Sequence, residues 1–193
     1  QEAVQAEILD PLEKETYFLP DDVAAKWTKT ERVEDRPLPA FSPRDQQRGY
    51  SVFARHWSEL VYPNSVPRHD ELDPSLRIFA APGEYEPVTC TVFPLRDLPG
   101  VRVTASDLRS AEAVIPASNI DIRCVRYLWV RPNYSAFFSY HIAPDVLEHR
   151  EQTDIQRGCN QPYWITVKVP EDARPGIYSG TLRLQPDGTP GSD

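Results

Sequence analysis

The sequence predicts an all-β fold: an immunoglobulin-like, two-sheet sandwich with an irregular N-terminal arm. Two observations carry that expectation. Proline supplies 20 of the 193 residues, about double its average usage. Pro breaks helix interiors and central sheet ladders, so a helical bundle is excluded and short strands joined by ordered loops are favoured. From Gly49 onward, β-forming runs with period-2 alternation recur between turn residues, the pattern of a sandwich. With 40% hydrophobic and 26% charged residues, the chain can pack one core and does not read as disordered.

The elements follow in order. Residues 1–45 carry 11 acidic and 6 basic side chains and little alternation, and read as an arm or connector. Within it, Asp21–Trp27 suits a short helix with Asp21 as N-cap and Val23 and Trp27 on one face. Pro37, Pro39 and Pro43 make residues 36–44 extended. The sandwich is expected over 46–187, followed by a cut linker at 188–193. Its strand signals are Ser51–Trp57, Leu76–Ala80, Val88–Phe93, Val101–Ala105, Ile120–Val130, Tyr163–Val169 and Tyr178–Leu184. The Ile120–Val130 run changes its inward face near Arg126, which predicts a bulge or bend. Pro175-Gly176 suits the centre of a type II turn before the last strand. Tyr178 is placed to cover the open sandwich end, with its hydroxyl on loop backbone. Two connections, 58–75 and 131–158, exceed the about 12–15 residues of ordinary loops.

Composition excludes several functions. The net charge is 21 − 29 = −8, against a nucleic-acid binder or a surface for anionic lipid. No apolar run approaches the roughly 20 residues of a membrane span. Absence of any Met predicts a processed or trimmed product, and Gln1 opens no signal-peptide pattern. Cys90, Cys124 and Cys159 lack metal-ligand spacing, and an odd count leaves a thiol unpaired. Cys90 and Cys124 sit in strand-like runs and read as buried free thiols. No His pair, nucleophile elbow, phosphate loop or calcium repeat is present, so neither metal nor cofactor is expected. Glu84 and Glu86 lie two apart on one strand entry and cannot straddle a glycosidic bond. Loop anchoring through backbone N–H groups is the expected role.

The 131–158 segment holds the candidate site. Asn133, Tyr134 and Tyr140 have the character of a sugar site, where aromatic rings stack on the flat C–H face of a pyranose. Phe137 and Phe138 are adjacent, so on an extended path only one can face the sandwich. The pair is expected to form an interdomain contact.

Four segments carry a family resemblance: Phe79-Ala-Ala-Pro-Gly-Glu-Tyr-Glu-Pro87, Pro94-Leu-Arg-Asp-Leu-Pro-Gly-Val-Arg-Val103, Ile115-Pro-Ala-Ser-Asn-Ile-Asp-Ile-Arg123 and the run from Asn160-Gln-Pro-Tyr-Trp to Arg174-Pro-Gly-Ile-Tyr-Ser-Gly180. In order and spacing they resemble the N-terminal β-sandwich of secreted bacterial proteins related to glycoside hydrolase family 123, over roughly residues 49–187. The resemblance implies a noncatalytic accessory domain that braces a following (β/α)8 barrel, in which the sugar chemistry resides. In characterised relatives that barrel removes N-acetylgalactosamine. It further implies a secreted or periplasmic setting and, as partner, the catalytic domain of the same parent chain. The alternative is a carbohydrate-binding module acting by itself, with a glycan as partner. A free-standing hydrolase is disfavoured because no catalytic residue set is visible.

Overall fold

A computed structural model describes residues 28–32, 34, 36–133 and 139–188. Eleven strands run through these residues: β1 (Thr28–Thr30), β2 (Tyr50–Phe53), β3 (Tyr85–Pro94), β4 (Leu98–Ala105), β5 (Leu108–Arg109), β6 (Val114–Ile115), β7 (Ile120–Val130), β8 (Ser139–Glu148), β9 (Thr153–Ile155), β10 (Gln161–Lys168) and β11 (Leu182–Gln185). One α-helix, α1 (Pro43–Arg48), precedes β2.

The strands form a two-sheet sandwich, as the alternation predicts. The large sheet has the order β1-β8-β7-β10-β3-β2, the small one β11-β4-β9, and β5 with β6 makes a separate hairpin. Alternation decides what faces the core. Tyr163 and Ile165 on β10 pair with Cys90 and Val88 on β3 and with Cys124 and Ile122 on β7. These residues pack against Leu98, Val101, Ile155 and Leu184 of the small sheet in one apolar cluster. A second cluster continues along the large sheet through Tyr127, Trp129, Tyr140 and Ile142.

The expected irregularity near Arg126 is present. Arg126 pairs with Val146 but Tyr127 pairs with Pro144, so Asp145 is the extra residue and the register shifts. A bulge leaves one residue outside the ladder, which is how β8 accommodates a proline. A second shift lies in β4 between Leu98 and Val101. There Gly100 takes φ +55° and its N–H donates to Asp154 Oδ1 at 2.7 Å.

Several expectations need correction. The 131–158 segment is not one long connection, because β8 and β9 form within it. The Ser51–Trp57 strand stops at Phe53, where an isolated bridge to Leu72 and an Ala54 N–H bond to Glu71 O (3.1 Å) lift the chain off the sheet. Leu76–Ala80 is irregular and joins no sheet, although β2 pairs only with Thr91–Pro94 of β3. Leu76 still packs against the core. The last strand begins at Leu182 rather than Tyr178. Gly176 does not adopt positive φ, so Pro175-Gly176 forms no type II turn. That turn forms at Ala81-Pro82-Gly83-Glu84, where Gly83 has φ +86° and Glu84 N–H reaches Ala81 O at 3.2 Å. The expected boundary after residue 45 falls inside α1, and Thr28–Thr30 already pair in parallel with β8. The Asp21–Trp27 helix lies outside the described residues.

Candidate functional site

The outward face of the large sheet carries an exposed aromatic group. On β10 the core-facing residues are Tyr163, Ile165 and Val167, so Trp164, Thr166 and Lys168 point outward. Trp164 lies between Thr89 of β3 and Arg123 of β7. Trp57 reaches it from another element: the two rings meet edge to face with centroids 6.3 Å apart. Trp57 is 47% exposed and packs its other side near His56, centroids 5.1 Å apart. The His56 ring is fixed by contacts of Nδ1 with Ser58 Oγ (2.6 Å) and Ser58 N–H (3.3 Å).

Buried charge holds Trp57 in place. The Arg55 carbonyl accepts from Thr89 Oγ1 at 2.8 Å, which pins the chain over β3. The Arg55 guanidinium bonds Glu71 at 2.8 Å and Val66 O at 2.9 Å, and meets Glu34 of the arm at 3.5 Å. Glu34 also accepts from Val66 N–H and Ser65 Oγ. Asn160, itself buried, donates to Tyr62 O and Ser65 O. The 54–72 segment is thus an ordered loop tied to the arm, to β3 and to the start of β10. Burial pushes the Glu34 carboxyl up, but the Val66 N–H, Arg55 and Ser65 outweigh it and hold the group below its ordinary value.

The polar groups around the two tryptophans are Arg123, paired with Asp121 at 2.6 Å, Thr166 and His56. Further along the same face, Lys168 pairs with Tyr85 and lies over its ring at 5.6 Å. Tyr85 is 60% exposed.

A separate cleft of about 230 Å³ opens where the chain crosses from β8 to β9. Arg126 and Arg150 share Glu148 there, at 2.8 and 2.6 Å. Burial raises the Glu148 carboxyl, and the two guanidinium groups more than reverse this, holding it below its ordinary value. Burial raises the Cys124 thiol and pushes the Cys159 thiol up to about 12. Glycoside hydrolysis needs a carboxyl raised toward neutrality as proton donor, and Glu148 is driven the opposite way. Protonated thiols are poor nucleophiles. Arg126, Glu148 and Arg150 form an ion-pair edge along the cleft, and Asp154 lines it as a second carboxylate.

The residues singled out from sequence fall in different places. Tyr134, Phe137 and Phe138 lie outside the described residues. Asn133 is exposed at the end of the β7–β8 hairpin. Tyr140, expected as a stacking platform, is only 8% exposed and belongs to the second apolar cluster. Its packing with Tyr127, Trp129 and Ile142 removes its ring from solvent. Glu84 does anchor its loop, accepting from Ala81 N–H at 2.6 Å. Tyr178 O–H donates to Arg174 O at 2.9 Å, the loop bond expected of it. Sequence reading missed the Trp57–Trp164 pair. The legible signal was a Trp in the outward phase of an alternating strand, where Thr and Lys are its companions. Among the described residues, no group of three His, Cys, Asp or Glu side chains could hold a metal ion, and no helix is long and apolar enough to cross a membrane.

Fold and site together define a two-sheet β-sandwich with an aromatic outer face and no assembled catalytic carboxyl pair among the groups described above. The model of the glycoside hydrolase 123 N-terminal domain matches residues 61–186, and the chain belongs to that family. No curated protein matches the chain. Among solved structures it is similar to a family 123 glycoside hydrolase from Clostridium perfringens, studied for glycolipid glycan hydrolysis. The two are 23% identical, with a TM-score of 0.51 over 57% of this chain and 20% of the other. At that identity the likeness concerns the fold alone, and this chain spans about a fifth of that protein's length.

Proposed function

We propose that this chain is the noncatalytic accessory sandwich of a secreted or periplasmic glycoside hydrolase, bracing a catalytic barrel in the same parent protein. The observation that carries this reading is the match of residues 61–186 to a domain defined by its N-terminal place in that family. The electrostatics of the cleft agree: Glu148, held between two guanidinium groups, is suited to closing an edge, not to donating a proton. Because the matching family is one of glycoside hydrolases, this reading assigns the parent protein a glycan as its substrate class. The experiment is an aryl-glycoside assay on the isolated chain. No turnover is expected. Turnover that disappears in Glu84→Gln, Glu86→Gln or Glu148→Gln would overturn the reading.

The second reading, a carbohydrate-binding module acting by itself, is favoured by one observation, the Trp57–Trp164 ring pair with Trp57 exposed.

A further inference from the structure

We infer that the outer face of the large sheet, centred on Trp57 and Trp164 and extending to Tyr85, is a binding surface for a neutral oligosaccharide. The argument starts from exposure. An indole left 47% exposed on a sheet face forgoes burial that folding would otherwise favour. Here the exposed ring is not loose: Thr89, Glu71 and Val66 fix Arg55 two residues away, and Trp164 meets the ring from below. A rigid exposed aromatic, held by a buried ion pair, has the form of a preorganised contact.

The surrounding chemistry selects the ligand. Pyranose rings present a flat apolar C–H face and a rim of hydroxyls, so they need an aromatic plane bordered by donors and acceptors. Thr166, Asp121 and Arg123 border Trp164 through their register positions. Arg123 and Asp121 neutralise one another at 2.6 Å, so this part of the face carries no net charge to favour an anionic or cationic ligand. Lys168 and Tyr85 lie four residues along β10 from Trp164, which is about 13 Å at the rise of a strand. Two aromatic platforms at that separation suit several linked sugars rather than one.

A protein occupant fits less well. Interface cores are depleted in charge, whereas Arg123, Asp121 and Lys168 interrupt the aromatic surface. The described chain ends on the other side of the sandwich. β11 belongs to the small sheet, and Asp187 N–H bonds Pro99 O at 2.9 Å. The inference does not depend on the accessory role and stands or falls separately.

Tryptophan fluorescence of the chain, titrated separately with cellohexaose, chitohexaose and β-1,4-galactotetraose, tests it. At least one sugar should give a saturable change by about 10 mM, and Trp57→Ala and Trp164→Ala should each weaken it by about tenfold or more. Trp164→Tyr, which keeps a ring on the strand, should recover part of the affinity. Circular dichroism spectra of the variants should match the parent spectrum, which separates lost binding from lost folding. Three outcomes overturn the inference: no saturable change with any of the sugars, affinity unchanged from the parent chain in both alanine variants, or disappearance of binding when the chain is joined to its catalytic domain. The last would assign the face to an interdomain contact.

Discussion

The side chain of Arg55 is 6% exposed and that of Glu71 4%, and Glu34 and Arg68 complete the network, at 3.5 Å from Arg55 and 2.7 Å from Glu71. Removing one partner of a buried pair costs about 3–5 kcal/mol when the remaining charge is left uncompensated. Because Glu34 still faces Arg55, Glu71→Ala should lower unfolding free energy by less, about 2–3 kcal/mol in urea titration, and should also shift Trp57 emission, because the 54–57 segment hangs on Arg55. Glu34 adds a pH dependence. Its folded-state carboxyl lies below the ordinary value, so its contribution is fully present above the unfolded value of about 4.5 and is lost as pH falls through the lower folded value. Glu34→Gln should accordingly flatten the acid limb of a melting-temperature profile below about pH 4.5 and leave its shape near neutrality unchanged. Cys90 and Cys124 sit on strands flanking Tyr163. Two strand spacings put them roughly 9–10 Å apart, beyond the roughly 7 Å a disulfide spans, and the described cysteines are free. Reduction should leave the melting temperature within about 5 °C. Burial pushes the Cys90 thiol up to about 12, so thiol reagents should label it only on unfolding. The cysteine placement was legible, because strand alternation alone puts these residues in the core. Arg55 was not, because the partners that make its burial tolerable lie 16 and 21 positions away.

At the scale of elements, α1 shows how short signals fix a boundary. Ser42 accepts from Asp45 N–H, Asp45 accepts in return from Ser42 N–H, Pro43 opens the helix, and Gly49 closes it at φ +83°. An added Cβ at Gly49 would also collide with the flexible Arg96 side chain, which can move; the backbone cost remains. Gly49→Ala should therefore destabilise by about 1–2 kcal/mol, and Ser42→Ala by about 1 kcal/mol, both readable in urea titration. The strands with clean alternation, β3, β4, β7 and β10, were legible, and so was the β7 irregularity. The β8 strand was not. Tyr140 and Ile142 start an alternation that Ala143, Pro144 and Asp145 interrupt, and only the Asp145 bulge against the regular run of β7 makes that interruption compatible with a ladder. β1 was hidden for a related reason: three residues without alternation become a strand only because β8 offers a parallel edge.

At the scale of the whole molecule, crossings between the sheets arrange the surfaces. The chain passes from β3 to β4, from β8 to β9, back to β10, and across again to β11. This leaves Trp57, Trp164 and Tyr85 on one broad face and the last described residues beside the small sheet. The sandwich itself followed from proline content and periodicity. The aromatic face did not, because Trp57 comes from a loop and Trp164 from a strand, 107 positions later, and only the fold unites them. Bracing of a catalytic domain is the central functional claim, and thermal inactivation of that domain tests it most directly. Its hydrolytic half-life at elevated temperature should be several-fold longer with this chain attached, since a neighbouring domain that binds only the folded state stabilises it by mass action. Identical half-lives with and without the chain would contradict the claim.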